Sequence, residues 1–119
     1  AKSAGATFVA RGTVYHVTLL EKIVQQAILK KGFSLVEVIS HCHTFYGRLN
    51  KEGTAVKMME WQKEHAIPIQ AAAKLPPEKL KDKFLIGTLW DVDFPEYCEE
   101  YDKVIAQFQV PPEDSEGKK

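Results

Sequence analysis

The chain has 119 residues, of which 45% are hydrophobic, and its 16 basic side chains balance 16 acidic ones. This length suits one compact domain, and the zero net charge gives no basic surface for nucleic acid or an anionic membrane, so we predict neither partner. No apolar run approaches the roughly 18 residues of a membrane span, and no signal peptide opens the chain, so we predict a soluble, cytoplasmic protein. The two cysteines, Cys42 and Cys98, lie too far apart in an intracellular context to indicate a disulfide framework.

The first forty residues have the pattern of a strand, a helix and a second strand. A short apolar run predicts a strand over residues 6–10, and helical spacing of leucine, isoleucine and valine predicts a helix over 17–31 that Gly32 ends. Residues 33–40 then form a run rich in valine and isoleucine, typical of a strand buried on both faces. Strand, helix and strand at this spacing predict a βαβ unit with parallel strands.

The rest of the chain continues the α/β pattern. A helix is predicted over residues 54–65, a proline-punctuated connection with a short helical turn after Pro77, and a strand over 84–93. Pro95 opens a last helix whose apolar residues share one face, and residues 111–119 read as a disordered tail. About three strands make a thin sheet, so the pattern predicts an α/β fold that forms half of a larger one.

Cys42 is the first candidate for chemistry, because it follows directly on the second predicted strand. Ligands of open α/β sheets bind at the carboxyl ends of parallel strands. The residue could instead be a buried core thiol, a zinc ligand together with His41 and His43, or a nucleophile paired with His16, His43 or His65. Three adjacent ligands cannot easily bind one ion, because alternate side chains of an extended segment point to opposite faces.

Glu37 is the second candidate, since it is the one charged residue within an apolar strand. A carboxylate there needs a partner, which we expect to be Arg11 or a neighbouring loop amide, and the alternative is a catalytic role. Arg48 and Asn50 could bind a carboxylate or a phosphate, or could be surface residues. Core packing is the expectation for the large aromatic side chains Trp61, Trp90, Tyr97 and Tyr101.

Several common site motifs are missing from the sequence. It contains no Walker-type phosphate loop, no dinucleotide fingerprint, no serine-nucleophile elbow and no CxxC pair. The residues alone therefore do not describe a complete active site, and we assign no catalytic residue.

Four separated segments carry a resemblance to a known family. The segments "GATFVARGTVYHV", "KKGFSLVEVISHCHTFYGRLN", "EWQKEHAIPI" and "PEYCEEYDKVI" resemble, in this order, the C-terminal part of the beta subunit of 2-oxoacid:ferredoxin oxidoreductases. That subunit binds thiamine diphosphate. The resemblance implies that residues 1–110 are the C-terminal half of a three-layer thiamine-diphosphate-binding domain with a parallel sheet. The Gly-Asp-Gly motif and asparagine that hold the diphosphate and Mg²⁺ in the family are not in this sequence.

The resemblance also implies a role for Cys42. Family members that carry a [4Fe-4S] cluster take three cysteines from the N-terminal part and the fourth from a Ser-x-Cys-x-Thr segment, which Ser40, Cys42 and Thr44 match. Cys42 is therefore expected to be one metal ligand of a site assembled from distant segments. His43 departs from the proline that the family usually has after this cysteine, and His41 from the proline or glutamine that often precedes it. Cys98 matches no ligand position and is expected to pack.

The reaction implied by the resemblance is oxidative decarboxylation of a 2-oxoacid with coenzyme A, with electrons passing singly to ferredoxin. The segment "TFYGRLN" favours 2-oxoglutarate over pyruvate. The expected partners are the remainder of the beta subunit and an alpha subunit. The chain by itself is expected to be inactive, to bind neither thiamine diphosphate with Mg²⁺ nor a stable cluster, and to self-associate or be only marginally stable. The alternative is a non-catalytic α/β interaction module that keeps this scaffold without its chemistry.

Overall fold

A computed structural model describes residues 1–109 of the chain. The strands are β1 (Phe8–Thr13), β2 (Ser34–Ile39), β3 (Ala66–Pro68) and β4 (Phe84–Asp91). The helices are α1 (Val17–Leu29), α2 (Ala55–His65), α3 (Ile69–Ala72) and α4 (Tyr97–Phe108), with a π-helical turn at His43–Gly47 and a 3₁₀ turn at Pro77–Leu80. None of the helices in the described range is long and apolar enough to cross a membrane. The predicted tail, 111–119, lies outside the described residues.

The four strands form one sheet in the order β2-β1-β4-β3. The pairs β1–β2 and β3–β4 are parallel, whereas β1–β4 is antiparallel. The predicted α/β class and the parallel βαβ unit made by β1, α1 and β2 are confirmed. The sheet has one strand more than the pattern indicated, because the three-residue strand β3 lies in a segment too short to show alternation.

The first strand ends later than predicted. Pairing with β2 continues as far as Thr13 and Ile39, so β1 does not stop at Ala10. The segment from Arg11 to Thr13 is not apolar, but it stays extended because pairing with β2 satisfies its backbone N–H and C=O groups.

Helix α1 covers one face of the sheet and forms the core. Phe8, Ala10 and Ile23 are almost completely buried, and Leu19, Ala27 and Val36 pack against them. Gly12 allows the close approach of this helix, since an added Cβ would lie 2.8 Å from Cδ1 of Leu20. The core therefore lies between α1 and the strands β1 and β2.

The prediction that the second strand is buried on both faces is wrong for the described residues. β2 is an edge strand, and Leu35 and Val38 are 37% and 44% exposed. Within residues 1–109 no strand pairs with its outer side, so its apolar residues remain in contact with solvent.

Two helices begin where side chains cap them. The Thr54 hydroxyl accepts a hydrogen bond from the Lys57 backbone N–H at the start of α2, and the Glu96 carboxylate accepts from Cys98 N–H and Glu99 N–H at the start of α4. Pro95 therefore precedes the N-cap of the last helix and does not open it.

The aromatic side chains of the second half do not form a core. Tyr97 and Tyr101 on α4 are 75% and 53% exposed, and Trp61 on α2 is 47% exposed, which contradicts the expected packing. Trp90 is half-buried and donates its indole N–H to the Ala6 carbonyl oxygen at 3.1 Å. Helix α4 has the predicted apolar face, but no described element covers it.

Candidate functional site

The loops after β1 and β2 lie at one edge of the sheet, because these neighbouring strands are parallel. The Val14 N–H donates to the Ile39 carbonyl oxygen at 3.0 Å and ties the two strand ends together. Beside them is an open cleft of about 560 Å³, whose walls include Ser40, His41, Cys42, Tyr46, Met58 and Trp61. Both its position and its size are those of a ligand site in an α/β protein.

Cys42 lies in this cleft with its thiol exposed. The backbone N–H groups of Tyr46, Phe45 and Thr44, in decreasing order of effect, lower the pKa of the thiol below its ordinary value. The Cys42 side chain is exposed, so the interpretation of this residue as a buried core thiol is wrong.

The histidines on either side of Cys42 approach one another across it. The His41 and His43 rings lie 6.0 Å apart between centroids, and Nδ1 of His41 is buried without a hydrogen-bond partner in the described structure. Among residues 1–109 no group of three or more histidine, cysteine, aspartate or glutamate side chains is arranged to hold a metal ion. A self-contained zinc site at His41, Cys42 and His43 thus has no support in the described part of the chain.

The other two histidines have partners of their own. Nδ1 of His16 lies 2.8 Å from the Thr13 hydroxyl, and burial lowers the pKa of this histidine. His65 stacks on Trp61, and its Nδ1 lies 2.9 Å from the Trp61 carbonyl oxygen. Neither ring is hydrogen-bonded to Cys42, so the geometry does not support the alternative of a Cys-His nucleophile pair with His16 or His65.

Helix α2 lines one side of the cleft. Gln62 is its one buried residue, at 2% exposure, and its side-chain oxygen accepts a hydrogen bond from the Tyr15 N–H at 3.2 Å. The π-helical turn approaches the same helix closely, since a Cβ added to Gly47 would lie 2.7 Å from the Met58 sulfur. Sequence reasoning missed Gln62, although a single amide on the inward face of an amphipathic helix is a usable signal.

The predicted partner of Glu37 is confirmed. Nε of Arg11 lies 2.6 Å from Oε2 of Glu37, and Nη1 donates to the Leu85 carbonyl oxygen at 3.4 Å. The pair joins β1 to β2, and Glu37 does not line the cleft. Asn50 donates its side-chain N–H to the Tyr46 carbonyl oxygen at 2.9 Å, and neither it nor Arg48 lines the cleft.

Cys98 differs from Cys42 in both position and chemistry. It lies exposed in the first turn of α4, where the Glu96 charge, followed by desolvation, raises the pKa of its thiol. The expectation that it packs in the interior is wrong, because the face of α4 that carries it is uncovered within residues 1–109.

Comparison with known proteins gives relatives of one kind. The chain is 38% identical over 107 residues to the 2-oxoglutarate synthase subunit KorB of Methanocaldococcus jannaschii. The aligned segment is 90% of this chain and 40% of the relative. The chain is 37% identical over 98 residues to the subunit of the same name from Methanothermobacter marburgensis, covering 82% of this chain and 34% of the relative. The 2-oxoacid:ferredoxin oxidoreductase subunit beta of Saccharolobus solfataricus is 42% identical over 50 residues, which are 42% of this chain and 16% of that one.

No family model and no solved structure matches the chain. The chain spans about 40% of the length of the Methanocaldococcus relative and about a third of the Methanothermobacter one. The 107 residues aligned with the Methanocaldococcus relative make up most of this chain. The chain is therefore a homologue of part of the beta subunit of the 2-oxoacid:ferredoxin oxidoreductases.

Proposed function

We propose that the chain works as part of the beta subunit of a 2-oxoacid:ferredoxin oxidoreductase. The complete enzyme would decarboxylate a 2-oxoacid oxidatively, transfer the acyl group to coenzyme A and pass electrons to ferredoxin. The names of the relatives support this proposal, and so does the position of the cleft at the carboxyl ends of β1 and β2. The remainder of the beta subunit and an alpha subunit would be the partners.

We propose 2-oxoglutarate as the preferred substrate. Both methanogen relatives carry the name 2-oxoglutarate synthase, and the segment "TFYGRLN" favours the same substrate over pyruvate. The test is a comparison of kcat/KM for 2-oxoglutarate and for pyruvate with the purified complete enzyme. A higher value for pyruvate would contradict the assignment.

We propose that Cys42 is one ligand of a [4Fe-4S] cluster. An exposed thiol whose pKa is lowered by backbone N–H groups is a suitable thiolate ligand. Such a cluster takes four thiolates and would carry single electrons, so a chain with two cysteines cannot complete it, and further ligands would come from the rest of the subunit. Cys42 would hold its position through the π-helical turn, in which the Gly47 N–H donates to the Cys42 carbonyl oxygen at 2.9 Å.

Thiamine diphosphate and Mg²⁺ do not fit the residues of this chain. The sequence has no Gly-Asp-Gly motif, and no three carboxylate, histidine or cysteine side chains of residues 1–109 converge on a metal position. We therefore propose that the remainder of the subunit holds the diphosphate and its Mg²⁺.

The two cysteines provide a matched test of the cluster assignment. In the complete enzyme, Cys42→Ser is expected to remove or destabilise the cluster, whereas Cys98→Ser should leave it intact. The measurements are iron content and the electron paramagnetic resonance spectrum of the reduced enzyme. An unchanged cluster in Cys42→Ser would contradict the ligand role. A complete complex without iron and without decarboxylase activity would favour the non-catalytic interaction module.

A further inference from the structure

We propose that the outer edge of β2 is an interaction surface, where a parallel strand from the remainder of the beta subunit continues the sheet, and that the sheet ends at β3. The origin of the added strand rests on the proposed function. The choice of β2 over β3 as the edge that pairs does not.

Half of the backbone N–H and C=O groups of β2 point away from β1. The Ile39 carbonyl oxygen accepts from the Val14 N–H at 3.0 Å, so the backbone groups of Ile39 point toward β1. Both groups of one residue point to the same side of a strand, and successive residues alternate. The groups that point outward are therefore those of Ser34, Val36 and Val38. Within residues 1–109 no strand pairs with them.

The side chains of β2 are apolar on both faces of the sheet. Val36 packs against the core beneath α1, and Val38, two residues further on, lies on the same face and is partly exposed. Leu35 lies on the other face and is also partly exposed. A strand that is apolar on both faces is typical of the interior of a parallel sheet. The added strand would bring apolar side chains of its own beside these residues.

The two edges of the described sheet differ in the features that protect an edge from pairing. β3 has only three residues and ends in Pro68, which has no N–H to donate. β2 has six residues, contains neither proline nor lysine, and pairs with β1 in continuous register. Its one charged side chain, Glu37, is bound to Arg11 of β1. Natural edge strands are short, charged, bulged or interrupted by proline, so β3 has the character of a sheet edge and β2 has not.

The remainder of the subunit is the source of the added strand that these observations favour. The aligned segments are 40% and 34% of the two methanogen relatives, so a subunit of this length has ample further chain. A second copy of this chain, related by a twofold axis, would pair its β2 in the antiparallel direction, because the axis reverses the strand. The apolar residues on both faces of β2 favour a parallel neighbour instead.

The direction of the added strand has a consequence for the cleft. Parallel neighbours lie about 4.8 Å apart, and their carboxyl ends meet at the same edge of the sheet. The segment that follows the added strand would therefore begin beside the segment that carries Cys42. Residues from outside this chain are needed at that position to complete the proposed site.

The first experiment measures backbone amide exchange, resolved to single residues, in the complete complex. Val36 and Val38 carry outward amides, and the inward amides of Leu35 and Glu37 are matched controls in the same strand. If a strand pairs with β2, the outward amides should be protected to within about tenfold of the inward ones. Outward amides that exchange at least about a hundredfold faster than the inward ones would overturn the proposal, because the edge would then be open to solvent.

Electron cryomicroscopy of the same complex identifies the occupant and its direction. A strand of the same polypeptide, parallel to β2 and hydrogen-bonded to its outward groups, supports the proposal. An antiparallel β2 from a second copy, a helix or loop over this edge, or a further strand beyond β3 would overturn it. If the complex lacks iron and decarboxylase activity, the proposed function fails, while the map still decides what pairs with β2.

Discussion

The pKa values of the two cysteine thiols are shifted in opposite directions because different groups surround them. Backbone N–H groups lower the pKa of the Cys42 thiol, whereas the Glu96 carboxylate raises that of Cys98. Both thiols are exposed, so access does not distinguish them. The difference lies in the fraction of thiolate, which is the species that reacts.

We predict that iodoacetamide modifies Cys42 several-fold faster than Cys98 at neutral pH in the metal-free protein. Mass spectrometry of the two peptides over a series of times measures both rates. As a control, Glu96→Gln should raise the rate at Cys98 and leave that at Cys42 unchanged. Faster modification of Cys98 in the unsubstituted protein would show that the turn amides do not act on the Cys42 sulfur.

His16 gives the fold a dependence on pH. Burial lowers its pKa below the ordinary value of 6.5, so the folded state binds fewer protons there than the unfolded state does. The contribution of the neutral His16 ring to the free energy of unfolding is complete above pH 6.5. It is lost as the pH falls from 6.5 toward the lower pKa that the ring has in the folded state. We predict that urea unfolding at pH 8, 7, 6 and 5 gives a decreasing free energy of unfolding below about pH 6.5. The decrease should be smaller in His16→Asn, which removes the titratable ring and places a residue favoured at helix N-caps at the start of α1, and an equal decrease in both proteins would exclude His16 as its source.

At the scale of elements, the buried and exposed faces of helix α1 contribute very different amounts to the free energy of unfolding. Ile23 is 1% exposed in the core, and Ile28, on the same helix, is 76% exposed. We predict that Ile23→Ala lowers the free energy of unfolding by about 2–5 kcal/mol, since it removes buried methyl groups and leaves a cavity. The matched Ile28→Ala should change it by less than about 0.5 kcal/mol. Denaturant titration of the two variants measures both values, and similar losses would mean that α1 does not pack on the sheet in the orientation described.

At the scale of the whole molecule, the described fold leaves much apolar surface uncovered. Large hydrophobic side chains are exposed on the edge strand β2, on α2 and along α4. We predict that the isolated chain self-associates at micromolar concentration, because these surfaces have no cover within residues 1–109. Light scattering coupled to size-exclusion chromatography would measure the mass over a dilution series. A thermostable monomer at all concentrations would contradict the expectation that this chain is part of a larger fold.

The sequence alone determined the features that depend on neighbouring residues. Spacing of apolar residues located α1 and α2, and the valine-rich run located β2, because periodicity follows from the geometry of a single element. The pairing of Glu37 with Arg11 also followed from sequence, since a charge inside an apolar strand needs a partner. The position of Cys42 after a parallel strand made it a candidate, and the resemblance of its surrounding segment to the family made it the expected cluster ligand.

Only the tertiary structure decided how these elements meet. The antiparallel pairing of β1 with β4 and the hydrogen bond between Tyr15 and Gln62 join residues tens of positions apart in the sequence. The exposure of the apolar face of α4 likewise depends on which other elements contact it. The large aromatic residues illustrate the difference. Their size and apolar character predicted core packing, but Tyr97 and Trp61 are exposed in the described structure. Burial depends on which surfaces are brought together, and a local pattern shows only that a residue has an apolar side to offer.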